Sequence, residues 1–134
     1  MKTTHLLQQR LQQLLGKRGS LQLQTVGGGS INQTYRVQYG GETVFCKVNS
    51  ATKFPHLFQK ESRGLTLIRQ QARIKTPAVI DSFEADGHQF LLLEWIEPGE
   101  RTENFWKRFG EGLAALHQVK TGYFGLDEDN YMGS

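Results

Sequence analysis

In the opening segment from Thr3 to Leu15, TTHLLQQRLQQLL, leucines stand at positions 7, 11, 14 and 15. That spacing of three and four residues predicts an amphipathic helix with one apolar face, which Gly16 can end. From Leu21 the period shortens to two: LQLQTV alternates apolar and polar residues as a half-buried strand does. Ile31 to Tyr39 reads as a second strand. Gly40-Gly41 then supplies a two-residue hairpin turn into a third strand, ETVFCKVN. Pro55 opens a helical stretch, PHLFQKESRGLTLIRQQ, at a position where proline's missing N–H costs nothing. After Pro77, AVIDSFEA, Asp86-Gly87 and HQFLLLEWI form a second hairpin. Beyond Pro98-Gly99, TENFWKRFGEGLAALHQV reads as a further helix, and the tail from Thr121 is rich in turn residues. The pattern therefore predicts an α+β fold, with five antiparallel strands, one helix inserted after the third, and a helix on either side of that unit.

Composition narrows the class. The chain has 134 residues, enough for one ordinary domain, and 37% of them are hydrophobic. Sixteen Lys and Arg against 13 Asp and Glu leave a net charge of +3, and no basic run concentrates it. A nucleic-acid partner is not expected, since aromatic and basic residues do not interleave on one strand face as a stacking platform requires. The single cysteine, Cys46, excludes an internal disulfide and a multi-cysteine zinc site. No apolar run approaches the roughly 18 residues of a membrane span, and the N-terminus lacks the apolar core of a signal peptide. The expectation is a cytoplasmic protein without a membrane partner.

Three features carry chemistry. The first is Gly27-Gly28-Gly29-Ser30, between the first two strands, where one or two glycines would make a turn and a third suggests close approach to the backbone. The second is Lys47. On the third strand Val44, Cys46 and Val48 face one way and Phe45, Lys47 and Asn49 the other, so this ammonium sits between apolar neighbours and needs an anionic partner. The third is Glu61, which falls in the stripe Leu57, Glu61, Leu65, Ile68 of the inserted helix, on the face that should meet the sheet. Each feature alone has an ordinary explanation: a flexible turn, a solvated strand lysine, a glutamate at the margin of a stripe. In that order they match the way a protein-kinase-like small lobe holds a nucleotide, with loop over phosphates, lysine on phosphates and glutamate on lysine.

The segments VGGGSINQTYRV, VFCKVN, FQKESRGLTLI, FLLLEWIEPG and YFGLDEDNYMGS together resemble the fructosamine kinase family, related to the aminoglycoside phosphotransferases. The resemblance runs from about Leu21 to Ser134. It implies a protein-kinase-like small lobe with a five-stranded sheet, divided as an N-terminal helix (1–20), a nucleotide-binding lobe and hinge (21–97) and the start of a helical large lobe (98–134). It also implies ATP-dependent phosphorylation of the sugar of a ketosamine, a step in protein deglycation. By this resemblance Gly27, Gly28, Gly29 and Ser30 cover the phosphates, Lys47 contacts them and Glu61 positions Lys47. Glu94, Trp95, Ile96 and Glu97 form the hinge that meets the adenine.

The family's Mg2+ would be held by an aspartate following an HGDLW-like catalytic loop, and neither motif occurs in these 134 residues. The chain by itself is therefore expected to bind a nucleotide without transferring phosphate, which leaves open a non-catalytic nucleotide-binding or scaffold module. The acidic run Asp127 to Asn130 fits no metal-ligand spacing, and His117 and Cys46 read as structural. The helix from Glu103 to Val119 carries Phe105, Phe109, Leu113 and Leu116, a face expected to be partly exposed and to favour self-association.

Overall fold

A computed structural model describes residues 2–27, 32–71, 74–97, 103–120 and 128–129. The elements run α1 (Lys2–Leu15), β1 (Leu21–Thr25), β2 (Gln33–Tyr39), β3 (Glu42–Ser50), α2 (Leu57–Gln71), β4 (Val79–Ala85), β5 (His88–Glu94) and α3 (Phe105–His117). The strands form one antiparallel sheet in the order β1-β2-β3-β5-β4. This is the α+β arrangement that the pattern predicts, with α2 inserted after the third strand.

Both predicted hairpins close through residues in the left-handed region. Gly40 and Gly41 have φ of 56° and 85°, and Asp86 and Gly87 have 52° and 78°. Two successive positive φ angles match the right-handed twist of the flanking strands, which is why glycine and aspartate stand there. The start of α2 differs from expectation. Pro55 is not its first residue: the helix begins at Leu57, after His56 in the left-handed region at φ 60°. A turn through Phe54 and Pro55 intervenes, closed by backbone hydrogen bonds from Phe54 to Ser50 and from Leu57 to Phe54.

Alternation along the strands sorts the core onto two faces. On one, Leu7 and Leu11 of α1 are buried with Val37, Tyr39, Val44, Cys46, Val48, Phe90 and Leu92. On the other, Leu57 and Phe58 of α2 are buried with Leu91 and Leu93, and Phe45, Leu65 and Val79 pack against them. A bulge in β4 keeps that sorting consistent. Val79 pairs with Leu93 and Asp81 with Leu92, so Ile80 is the extra residue. Without it Val79, Asp81 and Phe83 would share a face; with it Val79 joins the α2 side while Asp81 and Phe83 stay on the α1 side. Asp81 there receives the Arg10 fork, Nε to Oδ2 at 2.6 Å and Nη2 to Oδ1 at 3.2 Å, and the guanidinium lies 5.0 Å from the centre of the Phe83 ring. The outer end of the α1 stripe, Leu14 and Leu15, stays exposed.

In α3 no described residue is buried, with Trp106 63% and Phe109 49% exposed. Among the described residues no helix is long and apolar enough to cross a membrane.

Candidate nucleotide-binding cleft

Helix α2 packs mainly against β4 and β5 and covers only part of its side of β2 and β3. The uncovered part floors a cleft of about 630 Å³, lined among others by Gly27, Asn32, Lys47, Glu61, Trp95 and Ile96. Register fixes what points into it. Thr34 of β2 lies opposite Lys47 of β3, and Lys47 lies opposite Leu91 of β5. One residue pair along, Arg36, Phe45 and Leu93 form the next row on the same face.

Lys47 Nζ donates to Glu61 Oε1 at 2.5 Å, with the two side chains 22% and 27% exposed. The lysine stem crosses apolar surface beside Leu91, and its ammonium finds a carboxylate only because α2 turns Glu61 toward the sheet. One contact with one carboxylate oxygen leaves further donors on the ammonium, which can serve a ligand in the cleft. Glu61 in turn depends on how α2 begins. Gln89, 2% exposed, donates from Nε2 to the carbonyls of Ser50 (3.1 Å) and Phe54 (2.7 Å) and accepts the Phe58 N–H at 3.3 Å. One buried amide thus ties the end of β3, the turn and the first residues of α2 together. The outer side of α2 is held too, by Lys60 on the Asp129 carbonyl and Arg63 on Glu128 at 3.0 Å.

The ends of the glycine-bearing turn are fixed by side chains as well as backbone. Val26 N–H bonds to the Thr34 carbonyl at 2.9 Å, and Thr34 Oγ1 donates to the Val26 carbonyl at 2.5 Å. Gly27 has no positive φ, and a Cβ built there would meet nothing within 4 Å. Among the described residues neither backbone strain nor internal packing asks for glycine at 27. Gly28, Gly29 and Ser30 lie outside the described residues.

At the far end of the cleft, β5 ends at Glu94 and the chain runs on through Trp95 and Ile96 as an extended segment. The Glu94 N–H bonds to the Ala78 carbonyl at 2.9 Å, and its carboxylate accepts the Ala78 N–H at 3.4 Å, so that side chain serves the sheet edge. Trp95 is wedged between Phe45, ring centres 6.2 Å apart, and the Arg36 guanidinium, 5.3 Å from the indole centre. Its indole N–H is buried without an acceptor among the described residues. Ile96 is 46% exposed toward the cleft mouth.

The structure thus gathers Gly27, Lys47, Glu61, Glu94, Trp95 and Ile96 around one cleft. Asn32 and Thr34 line the same cleft, Arg36 and Gln89 support its walls from behind, and sequence patterning picks out none of the four. For Thr34 register is the signal: once Gly40-Gly41 is taken as the turn, Thr34 and Lys47 fall opposite each other. Among the described residues no group of three or more His, Cys, Asp or Glu could hold a metal ion.

Comparison with known proteins follows the same outline. The family model for fructosamine kinase matches residues 3–134. The chain belongs to the fructosamine kinase family. A probable ketoamine kinase of Synechocystis sp. is 38% identical over 111 residues, covering 82% of this chain and 37% of that protein. A probable ketoamine kinase of Vibrio parahaemolyticus is 35% identical over 112 residues, covering 81% of this chain and 38% of that protein. A solved structure from Haemophilus somnus, assigned as a fructosamine-3-kinase, superposes with a TM-score of 0.82 at 27% identity, over 95% of this chain and 43% of that one. The chain therefore spans well under half the length of the family members it matches, and its α+β sheet with helices on both faces is the kinase-like fold of that structure.

Proposed function

We propose that this chain is the ATP-binding lobe of a ketosamine kinase, a phosphotransferase that acts on the sugar of glycated amines in protein deglycation. The observation that carries the proposal is the Lys47–Glu61 pair at 2.5 Å in the floor of the cleft. In this reading the glycine-bearing turn from Gly27 to Ser30 covers the phosphates, and the ammonium of Lys47, steadied by Glu61, neutralises them. The adenine lies between the apolar row of Phe45 and Leu93 and the backbone of Glu94, Trp95 and Ile96. The residues present suit a nucleotide: a part-buried cation with donors to spare at one end, and apolar walls at the other. Mg2+ would accompany the nucleotide, and among the described residues no group of three or more His, Cys, Asp or Glu could hold it.

A reducing cytoplasmic setting belongs to the reading and is supported by the lone free thiol of Cys46. A second reading is a nucleotide-binding or scaffold module without catalysis. The enzyme and the nucleotide-binding module both require the cleft to hold ATP. Replacing Lys47 by alanine removes a charge-assisted contact worth about 1.5–3 kcal/mol, so ATP should bind about 10- to 100-fold more weakly by titration calorimetry. Unchanged affinity in a folded Lys47→Ala protein would sink both. Transfer of phosphate to a glycated amine by the 134-residue chain would decide for the enzyme over the module.

A further inference from the structure

Asn49, at the end of β3, is 9% exposed, and both ends of its side chain are engaged. Its Oδ1 accepts the Ser50 N–H at 2.7 Å, and its Nδ2 donates to Asn32 Oδ1 at 2.9 Å. This relay fixes the orientation of both amides. The Ser50 N–H can only donate, so the group of Asn49 beside it must be the oxygen, and the nitrogen must face Asn32. Asn32 then has to present its oxygen to Asn49, which leaves its own Nδ2 as the outward end. Among the described residues no acceptor takes those two protons.

Asn32 lines the same cleft as Lys47 and Gly27. It stands two residues before Thr34, the residue opposite Lys47, and so lies on the same face of the sheet, next to the end of the glycine-bearing turn. An amide whose acceptor end is committed behind it and whose donor end borders a cleft holding an ammonium is built for an anion. We propose that Asn32 is a phosphate-binding side chain, donating from Nδ2 to an anionic oxygen of the nucleotide while Asn49 holds the amide in that orientation. This rests on the nucleotide reading above and adds to it a neutral side-chain donor held in one orientation. It distinguishes a bound nucleoside phosphate from the bare nucleoside, since adenosine has nothing for Asn32 to bind.

The test compares ATP and adenosine affinities for the wild type, Asn32→Asp, Asn32→Ala and Lys47→Ala. Asn32→Asp keeps an oxygen for Asn49 and replaces the donors with a carboxylate oxygen; Asn32→Ala removes the donors without adding charge. Both should lose about tenfold or more in ATP affinity while adenosine binding holds, because a charge-assisted hydrogen bond to phosphate is lost and the adenine site is untouched. If both substitutions leave ATP affinity unchanged while Lys47→Ala weakens it, the role of Asn32 is overturned and the nucleotide reading stands. Parallel loss of ATP and adenosine would also overturn it, assigning Asn32 to the framework of the hairpin. If Lys47→Ala itself binds ATP normally, the reading beneath fails and takes the inference with it.

Discussion

The two faces of β3 are built from the same nine residues and do opposite work. Toward α1, Val44, Cys46 and Val48 are buried at 9%, 0% and 3% exposure in one cluster with Leu7 and Leu11 of that helix, and Val44 also borders a smaller cavity beside Leu14 and Leu15. Toward α2, Phe45, Lys47 and Asn49 meet a helix that covers only part of the sheet and leaves the cleft beside it. Each face also carries one cation–carboxylate pair between helix and strand. Arg10 grips Asp81 with two contacts and stacks on Phe83, whereas Lys47 touches Glu61 with one. A planar guanidinium held by both its partner's oxygens is a latch. An ammonium on a flexible stem, held at one point, is a charge that a ligand can share. The difference assigns stability to the first face and ligand chemistry to the second.

The sharpest separation between the faces is at adjacent residues. Burial pushes the Cys46 thiol up from its ordinary value of 9.0 to about 12. Since the folded state holds the proton more tightly, the associated stability is fully present below about pH 9 and is lost as pH rises from there toward 12. At pH 8 the raised pKa leaves far less thiolate than in the unfolded chain, and the thiol has no exposed surface, so iodoacetamide should alkylate native Cys46 slower by at least about a hundredfold. Labelling of the native protein at the rate seen in denaturant would show that the α1 face is not closed.

Gln89 is the next place to strain the comparison, because it is a polar residue buried on the α2 side for the sake of the cleft. Gln89→Leu preserves volume but takes the partner from the Phe58 N–H, and leaves the Ser50 and Phe54 carbonyls with only the backbone bonds of the turn. Leaving such a donor unsatisfied costs about 1–3 kcal/mol. The expected result is a melting temperature lower by several degrees, together with weaker ATP binding as α2 loses its seat and Glu61 its aim. Lower stability with full ATP affinity would mean that Glu61 is positioned by the rest of α2, through Leu65 and the contacts of Lys60 and Arg63.

What the sequence made legible follows from where local rules suffice. Gly40-Gly41 and Asp86-Gly87 set both turns, and a two-residue turn dictates register, so the facing of Lys47 could be read without a structure. Glu61 was legible because a carboxylate in an apolar stripe demands a partner. The start of α2 was not: Pro55 satisfied the local rule for a first helical residue, but Gln89, more than thirty residues later, holds the turn that delays the helix to Leu57. Asn32 was hidden for a similar reason. Its orientation is set by Asn49 and the Ser50 backbone across the hairpin, and residue type alone says nothing of which way an amide faces. The bulge at Ile80 also escaped the pattern, since AVIDSFEA reads as an uninterrupted strand and only the pairing with β5 exposes the extra residue.

The smallest expected effect belongs to the latch. The Arg10 and Asp81 side chains are 37% and 16% exposed, so solvent screens much of their attraction. Asp81 still raises the Arg10 guanidinium above its ordinary value by its hydrogen bond, against the opposing effect of burial, which keeps the charge in place at any pH where the protein is folded. Arg10→Ala should therefore cost about 0.5–1 kcal/mol, from the ion pair and the lost stacking on Phe83 together. Arg10→Lys should recover part of it at most, since an ammonium cannot span both Asp81 oxygens. High salt should shrink the difference between wild type and Arg10→Ala, as expected for a half-exposed pair. In all of these ATP affinity should stay at the wild-type value, because the latch and the cleft lie on opposite faces of the one hydrogen-bonded sheet. A fall in ATP affinity for Arg10→Ala at unchanged stability would break the division between the faces, and would make α1 part of the site rather than its support.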